Sequence, residues 1–225
     1  MNPIVCALDT QDLNEAIYLI NVLRDKVGMI KLGLEFFAAH GPSGVKKVAK
    51  CNVPIFLDLK LYDIPNTVTK TVEAIKALGV EILTLHVSGG TKMLKEALNV
   101  VKDTKIELIG VTVLTSMSNK DLSKLGIARR TKSQVILLAK LAKKIGLHGI
   151  VCSAIEAQEV RKECGKGFKI ITPGIRIDPN HDDQKRTATP KEAIDSGADY
   201  IIIGRPITKS GSPTNSVELI LKSLT

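Results

Sequence analysis

The chain has 225 residues, ordinary proportions of hydrophobic and charged residues, and a formal net charge of +9. Its size suits one domain with a large core, and no apolar run reaches the roughly 20 residues of a membrane-spanning helix. The positive charge favours an anionic partner, but with three Tyr, four Phe and no Trp the chain has few platforms on which bases could stack. We therefore expect a soluble protein that binds neither membrane nor nucleic acid; a basic RNA-binding protein is the alternative from another class.

The first residues and the cysteines indicate where the protein works. Met1 is followed almost directly by a strand-like apolar run, without a basic segment and long hydrophobic stretch. This start predicts no signal peptide and a cytosolic location. The cysteines form no C-x-x-C pair, so we expect reduced thiols rather than disulfides or metal ligands. They are Cys6, Cys51, Cys152 and Cys164.

Short apolar runs typical of strands alternate with stretches of helical apolar spacing. The predicted strands are Ile4–Leu8, Met29–Leu32, Ile55–Leu59, Ile82–His86, Leu108–Val113, Gly149–Cys152, Lys169–Thr172 and Tyr200–Ile203. The helical stretches are Leu13–Leu23, Val45–Ala49, Val68–Leu78, Met93–Val101, Val135–Ile145 and a closing Ser216–Leu224. Eight such units predict a single-domain α/β protein over residues 1–225, a (β/α)8 TIM barrel. An open doubly wound sheet is the alternative, but the first strand is not followed by G-x-G-x-x-G.

Polar residues follow most of the predicted strands, at the end where barrel enzymes keep their active sites. The strongest pattern is the run from Asp58 to Thr67 after strand three. In an extended strand Asp58 and Lys60 point to the same side, and Lys31 ends the neighbouring strand. Because alternating charges pair with each other, we expect ionised carboxylates and a protonated Lys60 at neutral pH. A salt-bridge network without chemistry is the alternative.

Two glycine-containing turns follow the last two strands, where barrels commonly bind phosphate. Gly174 and Gly204 let a ligand approach the backbone, and Arg205 can bind phosphate oxygens through two hydrogen bonds. Between these turns lies a long polar segment, 178–187. We interpret it as a lid that closes on the phosphate, with Gln184 as a contact. Simple glycine turns, surface charge and a disordered loop are the alternative.

These segments together resemble the orotidine 5′-phosphate decarboxylase family over almost the whole chain, and the D-x-K-x-x-D-I-P-N-T run is the most specific. The matching segments are 7–9, 30–33, 56–67, 86–90, 113–117, 151–153, 172–176 and 203–206. The resemblance implies decarboxylation of orotidine 5′-phosphate to uridine 5′-phosphate, the last step of de novo pyrimidine synthesis. It also implies that no cofactor and no metal are needed.

The resemblance further implies roles for individual residues. Lys60 protonates C6 of the pyrimidine and Asp58 lies beside the substrate carboxylate, while Asp9 and Lys31 contact the ribose. In a homodimer, Asp63 and Thr67 reach into the partner's site. The catalytic residues are Lys31, Asp58, Lys60 and Asp63. The other implied substrate contacts are Leu59, Leu61, Tyr62, Ile64, Pro65, Asn66, Thr115 (or its neighbours Ser116 and Ser118), Arg176, Gln184, Gly204 and Arg205.

Two other enzyme classes could use such a run of charges. A metal-dependent sugar-phosphate decarboxylase, similar to the enzymes acting on 3-keto-gulonate 6-phosphate, shares D-x-K-x-x-D. It should carry an acidic metal ligand where Lys31 stands, because a lysine repels Mg²⁺. A Schiff-base aldolase needs a deprotonated lysine, whereas Asp58 and Asp63 favour a charged Lys60.

Overall fold

Eight parallel strands close into a barrel in a computed structural model that describes residues 2–176 and 187–224. Each strand pairs with the next one along the chain, and the last pairs with the first. The predicted barrel is therefore confirmed. The strands are β1 (Ile4–Leu8), β2 (Met29–Leu32), β3 (Ile55–Leu61), β4 (Ile82–His86), β5 (Glu107–Val111), β6 (Gly149–Val151), β7 (Lys169–Thr172) and β8 (Tyr200–Ile203).

Helices cover the outside of the barrel. They are α1 (Leu13–Leu23), α2 (Leu34–Ala49), α3 (Pro65–Ile75), α4 (Gly90–Val101), α5 (Asn119–Lys124), α6 (Thr131–Ile145), α7 (Ala154–Cys164), α8 (Pro190–Asp195), α9 (Arg205–Thr208) and α10 (Pro213–Ser223). Only the second half of α2 was predicted, because Gly41, at φ +55°, and Pro42 interrupt it. Helix α7 was not predicted, since its sequence is rich in polar residues and even Glu156 is buried.

The apolar core has two layers, one on each face of the barrel wall. The outer layer lies between the strands and the helices. The inner layer fills the barrel with alternate residues of the strands, because successive side chains of a strand point to opposite faces. It consists of Val5, Ala7, Met29, Phe56, Ile82, Ile109, Ile171, Tyr200 and Ile202. Burial on both faces explains why the strands are apolar throughout.

The inner layer determines which side chains reach the mouth of the barrel. Four consecutive strands carry their last apolar inward residue just below that mouth. The next inward position is polar in each case, and it is occupied by Asp9, Lys31, Asp58 and Thr84. The carboxyl ends of these parallel strands meet at one edge, so the four polar side chains share one end of the barrel.

Two further expectations concern the whole chain. Cys6, Cys152 and Cys164 are buried and Cys51 is half-buried, and each carries a free thiol. Within the part of the chain that the structure describes, no helix combines the length and apolar character needed to cross a bilayer.

Candidate active site

A chain of alternating charges lies at the carboxyl end of β1 to β3. The Nζ atom of Lys60 is 2.7 Å from Oδ2 of Asp58, and Nζ of Lys31 is 3.6 Å from the same oxygen. Lys31 also lies 3.3 Å from Oδ1 of Asp9. The side chains of Asp58 and Lys31 are only 8% and 9% exposed, whereas Lys60 is 32% exposed. The expected cluster therefore forms, with its most accessible ammonium group on Lys60.

The surroundings of Asp58 keep it ionised. Burial alone would raise the pKa of this carboxyl group, because desolvation penalises a charge. The positive charges of Lys31 and Lys60 act in the opposite direction, as do hydrogen bonds from Lys60 and Thr84. Their combined effect lowers the pKa of Asp58 below its ordinary value. A carboxylate at this position can thus hold two ammonium groups at neutral pH.

The backbone at Lys60 is not the extended strand assumed from the sequence. Lys60 has φ +50°, a left-handed conformation that is uncommon for a residue with a side chain. The register between β3 and β4 shifts here, since Leu57 pairs with Leu83 but Leu61 pairs with Leu85. Asp58 and Lys60 still meet, as expected, but a β-bulge rather than simple alternation brings them together.

The charged chain forms one wall of a cavity of about 340 Å³ at the barrel mouth. Apolar side chains from β5, β6 and β8 also line it, including Val111, Val151 and Ile202. Among the residues that the structure describes, its charged lining consists of Asp9, Lys31, Asp58, Lys60, Arg176 and Arg205. Four cations against two carboxylates leave a surplus of two positive charges within this described lining. The cavity therefore suits an anionic ligand that also has an apolar or aromatic part.

The turns after β7 and β8 also contribute to this cavity. Gly174, Arg176, Gly204 and Arg205 all line it, so the predicted phosphate residues lie together. Gly174 has φ +80°, a conformation that favours glycine. The Arg176 side chain donates to the carbonyl oxygen of Ile175 at 2.8 Å. Most of the predicted lid, and Gln184 with it, lies outside the described residues.

The hydroxyl groups of Thr115, Ser116 and Ser118, which follow β5, lie in two different environments. Thr115 and Ser116 line the cavity. Ser118 instead caps helix α5, where its side chain exchanges hydrogen bonds with Asp121 in a capping box. The hydroxyl of Ser118 is thus engaged in helix capping, which leaves Thr115 and Ser116 as the candidates for contact with a ligand.

The remaining residues of the 58–67 run do not line this cavity in the single chain. Asp63 and Thr67 are exposed, and the Asp63 carboxylate accepts a hydrogen bond from the neighbouring backbone N–H at 2.7 Å. Leu59 and Leu61 line a separate apolar groove beside α2 and α3. Their predicted substrate contacts stay predictions, as do those of the other residues between them. These are Tyr62, Ile64, Pro65 and Asn66.

His86, at the end of β4, lies near the charged chain. Burial lowers its pKa and the charge of Lys60 lowers it further, although Asp58 acts in the opposite direction. Its ring lies 5.6 Å from that of Tyr62, measured between centroids. A neutral His86 beside Lys60 avoids adding another positive charge to the rim.

Two residues at this rim were not singled out from the sequence. Thr84 is fully buried within β4 and contacts Asp58. In the sequence, Thr84 is recognisable as a hydroxyl group inside an otherwise apolar strand, whereas the predicted site residues stand at the strand ends. Gly33 follows β2, and a Cβ atom there would lie 3.1 Å from Nζ of Lys31 and 3.3 Å from Asp9. A side chain at position 33 would therefore crowd this ion pair.

Comparison with known proteins gives one consistent result. The model of the Orotidine 5′-phosphate decarboxylase / HUMPS family matches residues 2–220. A protein of Wolbachia sp. subsp. Brugia malayi named orotidine 5′-phosphate decarboxylase is 83% identical, and the match covers 100% of both chains. One of the same name from Ehrlichia canis is 55% identical, over 99% of this chain and 98% of the relative.

The fold has a solved counterpart of the same name. The crystal structure of orotidine 5′-phosphate decarboxylase from Lactobacillus acidophilus superimposes with a TM-score of 0.88 at 33% identity. The superposition covers 100% of each chain. Sequence and fold thus point to the same family over the full length of the barrel.

Proposed function

The chain belongs to the Orotidine 5′-phosphate decarboxylase / HUMPS family, and we infer that it decarboxylates orotidine 5′-phosphate to uridine 5′-phosphate. One observation of the site carries this function. The ammonium group of Lys60, held 2.7 Å from Asp58, lines a cavity with a surplus of positive charge. The substrate brings a phosphate, a carboxylate and a pyrimidine ring, and each has a suitable counterpart on the walls of this cavity.

Lys60 supplies both charge and proton. When the bond between C6 and the carboxylate carbon breaks, CO2 leaves and its bonding electron pair stays on C6. The ammonium group of Lys60 stabilises this developing negative charge and then transfers a proton from Nζ to C6. Lys60 is left as a neutral amine and regains its proton from solvent, to which its side chain is partly open.

Asp58 and Lys31 position Lys60 for this step. Asp58 binds both ammonium groups through one oxygen, so Lys60 cannot turn away from the cavity without losing an ion pair. Lys31 in turn joins Asp58 to Asp9. Asp9 and Lys31, which also line the cavity, are proposed to contact the ribose hydroxyls of a substrate whose ring faces Lys60. Preorganised charges of this kind need no rearrangement during the reaction.

The phosphate provides binding energy far from the reacting carbon. Arg176 and Arg205 line the cavity at the turns after β7 and β8, with Gly174 and Gly204 beside them. Anchoring the phosphate there orients the pyrimidine toward Lys60, and the binding energy can be used to organise the reacting groups. Gln184 and the segment around it are proposed to close over the phosphate.

The site is proposed to be completed by a second copy of the chain. Asp63 and Thr67 are exposed on the loop before α3 and on its first turn, where a partner could receive them. Tyr62 and Ile64, next to Asp63, are exposed hydrophobic residues that suit an interface. We therefore propose a homodimer in which each protomer contributes these polar side chains to the other's site. A cytosolic location stays a prediction from the sequence.

The function is tested with the purified chain, orotidine 5′-phosphate and a strong chelator. We expect the ultraviolet absorbance of the substrate to change as uridine 5′-phosphate forms, at a rate that the chelator does not alter. Turnover that stops in chelator and returns with Mg²⁺ would instead favour the metal-dependent sugar-phosphate decarboxylases. Absence of any turnover by the chain would contradict the proposed function.

The shared site is tested by mixing two inactive variants, Lys60→Ala and Asp63→Ala. In a heterodimer one site carries both defects and the other carries neither. Complete exchange in an equal mixture should restore roughly a quarter of wild-type activity, because half of the dimers are then mixed and each has one intact site. No recovery after demonstrated exchange would show that Asp63 acts within its own chain.

A further inference from the structure

We propose that Thr84 is a positioning residue for the decarboxylation, because it holds Asp58 and the backbone of Lys60 in the arrangement that the reaction needs. Its side chain bridges the two residues. The backbone N–H of Lys60 donates to Oγ1 of Thr84 at 2.9 Å, and the hydroxyl of Thr84 donates to Oδ1 of Asp58 at 2.9 Å. The proposal rests on the function inferred above.

The bulge in β3 explains why a side chain is needed to bind the backbone N–H of Lys60. Two more residues lie on β3 than on β4 between the pairs Leu57–Leu83 and Leu61–Leu85. The left-handed backbone at Lys60 is strained, and its N–H donates a hydrogen bond to the Thr84 side chain on β4. A hydroxyl group can accept one hydrogen bond while donating another, so threonine satisfies both neighbours at once.

The bridge also fixes which oxygen of Asp58 faces the lysines. Oδ1 is bound by Thr84, and Oδ2 is then left for Lys60 and Lys31. Thr84 is fully buried and is absent from the cavity lining, so it acts on the reaction through Asp58 and Lys60. A valine at this position would keep the shape but would leave Oδ1 without its donor and the Lys60 N–H without its acceptor.

The test compares Thr84→Val, Thr84→Ser and a matched control, Thr112→Val. Thr112 is also buried, but its hydroxyl donates to the carbonyl of Val151 on β6 at 2.7 Å. We expect Thr84→Val to lower kcat by about tenfold to a hundredfold, the usual effect of losing a hydrogen bond to a charged group. KM should change by less than about threefold, because the phosphate contacts are untouched. Thr84→Ser should retain most of the wild-type kcat, and Thr112→Val should match wild type.

Several results would overturn the proposal while leaving the function standing. These are a wild-type kcat for Thr84→Val, a serine variant no better than the valine variant, and an equal loss in Thr112→Val. If Thr84→Val does not fold, Thr84→Ala takes its place in the comparison with serine. A crystal structure of the hydroxyl-free variant provides an independent readout, in which Asp58 should rotate or Lys60 leave its positive φ; an unchanged site would count against Thr84. Lack of turnover in the wild type would instead contradict the function itself.

Discussion

The two ends of the barrel carry similar amounts of charge and arrange it differently. At the amino end, a cavity of about 360 Å³ is lined by Glu81, Lys105, Glu107 and Lys169. Its charges balance, and Lys169 on β7 forms an ion pair with Glu107 on β5. At the carboxyl end the cavity has an excess of cations among the residues that the structure describes, and one buried carboxylate pairs with two ammonium groups.

The difference separates a stabilising arrangement from a reactive one. In a balanced, partly exposed ion pair the two charges neutralise each other without a ligand, and such pairs contribute little to the free energy of folding. A cavity whose described lining carries surplus positive charge is incomplete until an anion binds, since partly desolvated charges need partners. Charge imbalance together with burial thus distinguishes the active end of this barrel, whereas the presence of ion pairs does not.

The largest effect is expected from removing Lys60. Lys60→Ala should lower kcat by at least about a thousandfold, because both the stabilising charge and the proton donor are lost. Lys169→Ala at the other end is the matched control: it should keep wild-type turnover and lose at most about 1 kcal/mol of stability. Steady-state kinetics and thermal unfolding of both variants provide the comparison. Equal losses of turnover would mean that the two ends do not differ as described.

A smaller effect is expected on the phosphate side of the cavity. Arg205→Ala should raise KM by about tenfold to a hundredfold, with a smaller loss of kcat, because charged hydrogen bonds to the substrate disappear. Arg205→Lys should lie between the alanine variant and wild type, since lysine keeps the charge without the two-pronged geometry. An unchanged KM for Arg205→Ala would refute the assignment of phosphate binding to this side.

The smallest effect concerns stability in acid. Because the pKa of Asp58 is lowered by folding, its ionised form stabilises the native state above the ordinary aspartate value of about 3.9. This contribution is lost as the pH falls through the lowered pKa. From pH 7 downward, the free energy of unfolding should therefore decrease more for wild type than for Asp58→Asn, by an amount on the order of 1 kcal/mol. Denaturant titrations across this range measure both, and parallel curves would argue against the proposed charge coupling.

The sequence predicted the strands more accurately than the helices. Five of the eight strands have the predicted bounds, because apolar residues fill strands that are buried on both faces. Helices α7 and α8 lacked a clear apolar face and were not predicted. The ends of the other three, β3, β5 and β6, differ by two residues or fewer; in β3 the difference reflects the bulge, while β5 and β6 end early, at Val111 and Val151.

The candidate site was predicted at the level of residues but not of contacts. Strand ends identified Asp9, Lys31, Asp58 and Lys60, and the structure brings all four together. The role of Ser118 in capping α5 depends on where that helix begins, which the apolar pattern did not reveal. Contacts between two protomers depend on the surfaces of both chains. The roles of Asp63 and Thr67 in a partner's site therefore stay predictions.

The amino-acid sequence by itself determined the alternation of strand and helix, the polar residues at the strand ends and the resemblance to one family. These features depend on local composition and order along the chain. Only the tertiary structure decided that Lys60 adopts a left-handed backbone, that Thr84 bridges it to Asp58 and that one oxygen of Asp58 holds two lysines. Such contacts join strands more than twenty residues apart, and their geometry is set when the barrel closes.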